Sequence, residues 1–249
     1  MLLPAVLRAK GRGHEISCAN NLRQLTIAWV AYADDNSDRL AYNLGASEIK
    51  QMLSRGEHYN WANSVLNWEL DPSNTNKALN ADASLGLYLS GDSRSFRCPS
   101  DRVLSGLQRS AGWWERSRTY SMNAMAGDAG EFTRSGSNVN NPSYRQFLKL
   151  AEMRETAGIF VFIEEHPDSI NDGYFLNKAY YWEWLELPAS YHNRGANLAY
   201  ADGHVEYRRW QCESTFKPAR PDVLPESPIE LRQEDRADFN WLMARMSTH

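Results

Sequence analysis

Acidic residues set among aromatic rings, with a few histidines and cysteines, are the side chains of this 249-residue chain best suited to chemistry. Glu164 and Glu165 stand side by side, and Glu183 lies inside Tyr181-Trp-Glu-Trp-Leu-Glu186. A glycoside hydrolase needs two such carboxylates flanking a sugar, about 5–5.5 Å apart for retention or 6.5–9.5 Å for inversion. Alternation of aromatic and glutamate is also the pattern of a two-faced strand, and that reading comes first. Nucleophilic catalysis has no footing: there is no G-x-S-x-G, and no cysteine stands in a recognisable catalytic setting. Phosphate-binding glycine loops are absent as well.

Metal ligands are suggested in two places. Asp34-x-Asn36-x-Asp38 imitates the first half of a calcium loop, but Arg39 occupies the place of the sharp-turn glycine and no glutamate closes the loop. A solvated turn with Asx caps is the simpler reading. His192 and Asp202 invite a metal or acid–base pairing. An extended Ala196–Ala201 between them spans roughly 20 Å at about 3.3 Å per residue, which puts them near opposite ends of one strand. Asp202 is therefore expected to make a turn, and His192 to hydrogen-bond within its own loop. Calcium held by Asp202 with carboxylates of neighbouring loops is the alternative, so the candidate calcium ligands are Asp202, Asp34, Asn36 and Asp38. No other cofactor is expected. Cys18, Cys98 and Cys212 lie in no CxxC or CxxH spacing and so predict no zinc site. One disulfide plus a free thiol, or three thiols, are both open.

The elements that must position these residues follow from periodicity. Cys18, Leu22, Leu25, Trp29 and Tyr32 recur at helical steps, widened by Ala28 and Ala31, and predict an N-terminal helix over 1–35. The apolar run Leu2-Leu-Pro-Ala-Val-Leu7 begins at once, which reads as the tail of a longer segment. Residues 36–156 form a loop-rich elaboration with a short helix near Ala46–Leu53, short strands at Phe96–Asp101 and Thr119–Asn123, and a mobile loop at Ala124–Pro142. Ala157-Gly-Ile-Phe-Val-Phe-Ile163 is apolar enough for a central strand. Asp202-Gly203 between two alternating segments predicts a two-residue type I′ hairpin, pairing Tyr200 with Val205 and Leu198 with Tyr207. The sheet core spans 157–212. A Pro-rich connector and a C-terminal helix complete 213–249, the helix opened by the capping box Ser227-Pro-Ile-Glu230 and striped by Ile229, Phe239, Leu242, Met243 and Met246. The expectation is one α+β domain.

Composition narrows the function. A net charge of −4 leaves no basic surplus for phosphates, so no nucleic-acid partner is expected. No apolar run is long enough to span a bilayer, and no complete signal peptide is present, so the chain as given reads as soluble. Nine Trp and twelve Tyr suit flat packing surfaces or a glycan-binding face, for which Trp113, Trp182 and Trp184 are the candidates.

His192, nine residues, then Asp202-Gly203 resembles the H-X9-DG motif of the prepilin-type, processing-associated proteins. Leu2–Lys10, Ser17-Cys-Ala-Asn-Asn-Leu-Arg-Gln-Leu25, Tyr32-Ala-Asp-Asp-Asn36, Phe96-Arg-Cys-Pro-Ser-Asp101, Tyr120-Ser-Met-Asn123 and Ile159-Phe-Val-Phe-Ile-Glu164 resemble that family's blocks, in its order. The resemblance implies a type IV pilin-like fold, with a long helix packed on an antiparallel sheet. It also implies a non-enzymatic pseudopilin-like subunit of a type II secretion-like or pilus-like assembly in the cell envelope. Its partners would be other pilin-type subunits or secretion machinery, its membrane contact a segment missing here together with the prepilin cleavage site. It further implies a Cys18–Cys98 disulfide in an exported protein. The competing expectations are an extracellular glycan-binding module and a hydrolase using Glu164, Glu165 or Glu183.

Overall fold

The computed structural model describes residues 2–223 and 227–248, with side chains from residue 9 onward. Met1 and part of the Lys217–Pro228 connector therefore lie outside the described residues.

Helix α1 (Leu2–Asp35) is a single 34-residue element, about 50 Å long at ~1.5 Å per residue. Cys18, Leu22, Leu25, Ala28, Trp29 and Ala33 are buried along it, as the periodicity predicts. Tyr32 and Ala31 are only half-buried, and Tyr32 meets Tyr88 edge-on at 5.9 Å. Upstream, Ala9–Gly13 and Ile16 are exposed, so within residues 9–35 the packed part of the helix begins at Cys18.

Four short helices follow in the elaboration: α2 (Ala46–Ser54), α3 (Ala78–Ala81), α4 (Ser84–Tyr88) and α5 (Gly106–Ser110). The strand expected at Phe96–Asp101 is instead the end of a 3-10 turn, Ser93–Phe96, and the loop after it. Asp92 accepts the Arg94 N–H and starts that turn, and Pro99 has no N–H to give a ladder.

The strands are β1 (Tyr120–Asn123), β2 (Thr133–Arg134), β3 (Ser137–Asn138), β4 (Asn141–Arg145), β5 (Phe160–Glu164), β6 (Tyr174–Phe175), β7 (Glu183–Trp184), β8 (Gly195–Tyr200), β9 (Val205–Arg209) and β10 (Ile229–Glu230). The main sheet runs β6-β1-β5-β8-β9, with β5 in the centre, where its unbroken hydrophobicity demands cover on both faces. It is antiparallel except at one edge, where β1 and β6 run parallel. Helix α1 crosses β5, β8 and β9 and also rests on α4 and the Ser93–Phe96 turn. The architecture is α+β.

Three expectations are corrected. The polar stretch Ala124–Pro142 contributes β2, β3 and the start of β4 to a three-stranded sheet rather than a long loop. Its amides serve as internal partners: Asn138 donates to Gln146 Oε1 at 2.8 Å and to the Tyr174 hydroxyl at 2.6 Å. The hairpin register is one residue away from that of a two-residue turn, with Ala199 opposite Val205 and Leu198 opposite Glu206. Gly203 has φ +90° while Asp202 stays out of the positive region, so a type I′ turn is ruled out. The Gly203 N–H instead bonds Tyr200 O at 2.9 Å, closing a three-residue loop that ends on a left-handed glycine. Finally, Ser227–Glu230 does not open a helix: Ile229 and Glu230 pair with Trp184 and Glu183, and the terminal helix α6 spans only Ala237–Met243. Phe239, Leu242, Met243 and Met246 are buried as expected, joining α6 to the same core as α1 and the sheet.

Candidate metal centre

Three chain segments meet α1 at Cys18. Cys18 is the first buried residue of the helix stripe. Glu164 ends β5 and pairs in register with Tyr120 of β1, so both side chains rise from one sheet face. Cys98 follows the Ser93–Phe96 turn, where the Asp101 N–H bonds Cys98 O at 3.1 Å. His192 lies in the tight turn before β8, closed by reciprocal bonds between the His192 and Gly195 backbones at 3.1 and 3.0 Å. Gly195 is required there, because a Cβ would sit 2.3 Å from Arg208 O and 2.7 Å from the Tyr207 ring.

The ligand-type atoms of Cys18, Cys98, Glu164 and His192 all lie within 4.8 Å of one another, and all four residues are buried. Cys18 Sγ donates to Glu164 Oε1 at 2.6 Å and lies 2.9 Å from the Tyr120 hydroxyl. His192 Nε2 is 3.0 Å from the same Glu164 oxygen and 3.4 Å from Cys98 Sγ. The second Glu164 oxygen is held by the Asn197 N–H at 2.6 Å and its amide at 3.3 Å. Among the described residues this is the one place where three or more His, Cys, Asp or Glu ligand atoms converge.

Burial pushes the Glu164 carboxyl up, but bonding to His192, then Cys18 and the Asn197 N–H, outweighs it and holds the group below the usual carboxylate range. Burial pushes His192 down, while Cys98 and Glu164 raise it to about 10. Burial, then Cys98 and Glu164, push the Cys18 thiol well up. The cluster thus holds an imidazolium–carboxylate pair flanked by two sulfurs.

A cysteine nucleophile would need the histidine to use its two ring nitrogens separately, one toward sulfur and one toward the orienting acid. Here Nε2 faces both Cys98 and Glu164. The geometry is that of several donors turned on one point, which is what a cation requires.

The other predicted residues are placed elsewhere. Asp202 sits at the opposite end of β8 from His192, bonding the His204 N–H at 3.1 Å and Nδ1 at 2.6 Å, so it does make the turn. His192, in contrast, sends its side chain out of its own loop to β5. Asn36 donates back to Tyr32 O at 2.7 Å, Asp38 accepts the Ala151 N–H at 3.3 Å, and Asp34 is exposed. Glu165 points away from Glu164, to Ser121 and, at 2.9 Å, Ser169, while Glu183 is on β7. Trp184 is fully buried and Trp182 is 43% exposed under Arg236; Trp113 is half-buried. The three tryptophans therefore form no common face. Cys18 and Cys98 do come together, as free thiols, and Cys212 stays apart.

The cysteine-spacing rule missed this centre, since it reads only ligands that are close in sequence. One signal was present: a glutamate ending the most apolar strand is buried by its setting and must find partners. No family profile, no curated protein and no solved structure matches the chain.

Proposed function

We propose that the chain is a non-enzymatic, pseudopilin-like structural subunit with a type IV pilin-like fold, serving a type II secretion-like or pilus-like assembly of the cell envelope. Helix α1 carries the reading. Its later part is packed on the sheet, and its outer face, Ile16, Asn20, Arg23, Ile27 and Asp34, is exposed. Ile16 is 70% and Ile27 62% exposed, and their eleven-residue separation is about three turns, so they share one side. Apolar side chains at that spacing suit helix–helix packing between subunits. Among the described residues no helix is long and apolar enough to cross a membrane, so membrane attachment is no part of what supports the reading.

Photo-crosslinking residues at positions 16 and 27 test it in cells of the source organism. Crosslinks to pilin-type subunits or secretion components from both positions are expected. Crosslinks only to unrelated envelope proteins, or none, would reject the proposal.

A second reading, a glycan-binding module, draws on the exposed run Tyr180, Tyr181 and Trp182, at 58%, 57% and 43%. Glycan-array binding lost in Trp182→Ala would favour it.

A further inference from the structure

We infer that Cys18, Cys98, Glu164 and His192 bind a single tetrahedral zinc ion that pins α1 to the sheet. The donor set is the first argument. Two sulfurs, one imidazole and one carboxylate match zinc, whereas calcium and magnesium take hard oxygen ligands in greater number.

Spacing is the second. Metal–ligand lengths of about 2.0–2.3 Å in a tetrahedron put the ligand atoms roughly 3.3–3.8 Å apart. Cys18–Glu164, Glu164–His192 and His192–Cys98 are separated by 2.6, 3.0 and 3.4 Å, and none of the four atoms lies more than 4.8 Å from another. Side-chain shifts of about 1 Å reach the zinc geometry.

The surroundings supply the third. Asn197 holds Glu164 Oε2, leaving Oε1 toward the sulfurs. The Ser100 N–H reaches Cys98 Sγ at 3.4 Å, and the Tyr120 hydroxyl sits at Cys18 Sγ. Donors of this kind orient and stabilise thiolate ligands. All four ligands come from protein, with exposures of 0% for Cys18, Cys98 and Glu164 and 4% for His192. No side is left open for substrate, so the ion is structural rather than catalytic.

Loading exchanges protons for metal. Each thiol releases its proton to solvent as it forms a Zn–S bond, and His192 coordinates through a neutral imidazole nitrogen. Zn2+ with two thiolates, one carboxylate and a neutral imidazole has net charge −1, faced by the Asn197, Ser100 and Tyr120 donors.

The test is metal analysis of the purified full chain under reducing conditions, with cobalt substitution. One zinc per chain is expected, with the visible bands of tetrahedral thiolate-bound Co2+ after exchange. Cys98→Ser and His192→Ala should each lose the bands or shift them, while Cys212→Ser keeps them. A chelator should lower Tm by roughly 10 °C or more. Where a variant fails to fold, the wild-type cobalt spectrum still decides. Reduced wild-type chain with no zinc and no cobalt bands overturns the inference. So does metal retained unchanged in both ligand variants, or a Cys18–Cys98 disulfide found in the native protein in place of the ion.

Discussion

His192 Nε2 lies 3.0 Å from Glu164 Oε1, both side chains buried, although twenty-eight residues separate them in the chain. The turn before β8 and the end of β5 are thereby tied together under α1. With metal removed by chelation, Glu164→Gln and His192→Ala should each destabilise by about 3–5 kcal/mol, because each leaves a buried partner uncompensated. Their effects should not add: the double variant is expected to fall short of the sum by about 1–3 kcal/mol in urea denaturation. Simple additivity would mean the pair is not coupled.

Arg118 is fully buried, and its guanidinium is spread over backbone and hydroxyl oxygens. It donates to Tyr120 O, Ser121 Oγ at 3.0 Å and Asn171 O at 2.9 Å, linking β1 to the loop before β6. Burial lowers its pKa to about 10. Arg118→Lys cannot reproduce this planar set of bonds and should cost at least about 2 kcal/mol; Arg118→Ala should cost more. Equal stability of wild type and the Lys variant, from denaturation midpoints, would refute the role.

Trp61 fills the centre of the core, 5.2 Å from the Phe162 ring and 6.0 Å from Phe96, and its Nε1 donates to Asn43 Oδ1 at 3.1 Å. Trp61→Ala should cost about 3–5 kcal/mol through the cavity it leaves. Trp61→Phe keeps an aromatic ring but strands the Asn43 oxygen, for about 1–3 kcal/mol. Thermal unfolding of the two variants should rank in that order.

Two glycines separate backbone strain from collision. Gly203 has φ +90° and open space where a methyl would be added, so Gly203→Ala should cost only about 1 kcal/mol. Gly127 has φ +86°, and a Cβ there would lie 2.0 Å from Ala41 O. Gly127→Ala should therefore be the more damaging by several-fold in the unfolding equilibrium, and similar Tm values for both would contradict the packing described.

Asp172 and Glu186 give a pH signature. Burial pushes both carboxyls up, and the charges of Glu165 and Asp172 push Glu186 further, well above the ordinary range. Groups that hold protons more tightly when folded make the folded state bind more protons above the unfolded value near 4 to 4.5. Their contribution to stability therefore declines as pH rises from there through the folded values. The difference in unfolding free energy, wild type minus Glu186→Gln, should become less favourable as pH rises above about 4. A difference that is flat or rises with pH would show that Glu186 is not held protonated.

Local periodicity carries the elements whose buried faces are written in neighbouring residues. The 3.6-residue stripe from Cys18 to Trp29 is the buried face of α1, and the apolar run ending at Ile163 is the central strand β5. Both follow because a helix face and a doubly covered strand are written in neighbouring residues. The apolar positions of α6 were legible for the same reason. Its start was not, because a capping box at Ser227 lost to strand pairing of Ile229 and Glu230 with Trp184 and Glu183. Likewise Asp202-Gly203 specified a turn but not its register, which differs by a single left-handed residue. The centre of Cys18, Cys98, Glu164 and His192 was decided only by the tertiary structure. Cys18 and Glu164 are 146 residues apart, and Cys98 and His192 are 94 apart. No spacing rule spans such distances; packing α1 across the sheet brings the four together, and burial obliges them to bind one another or a shared ion.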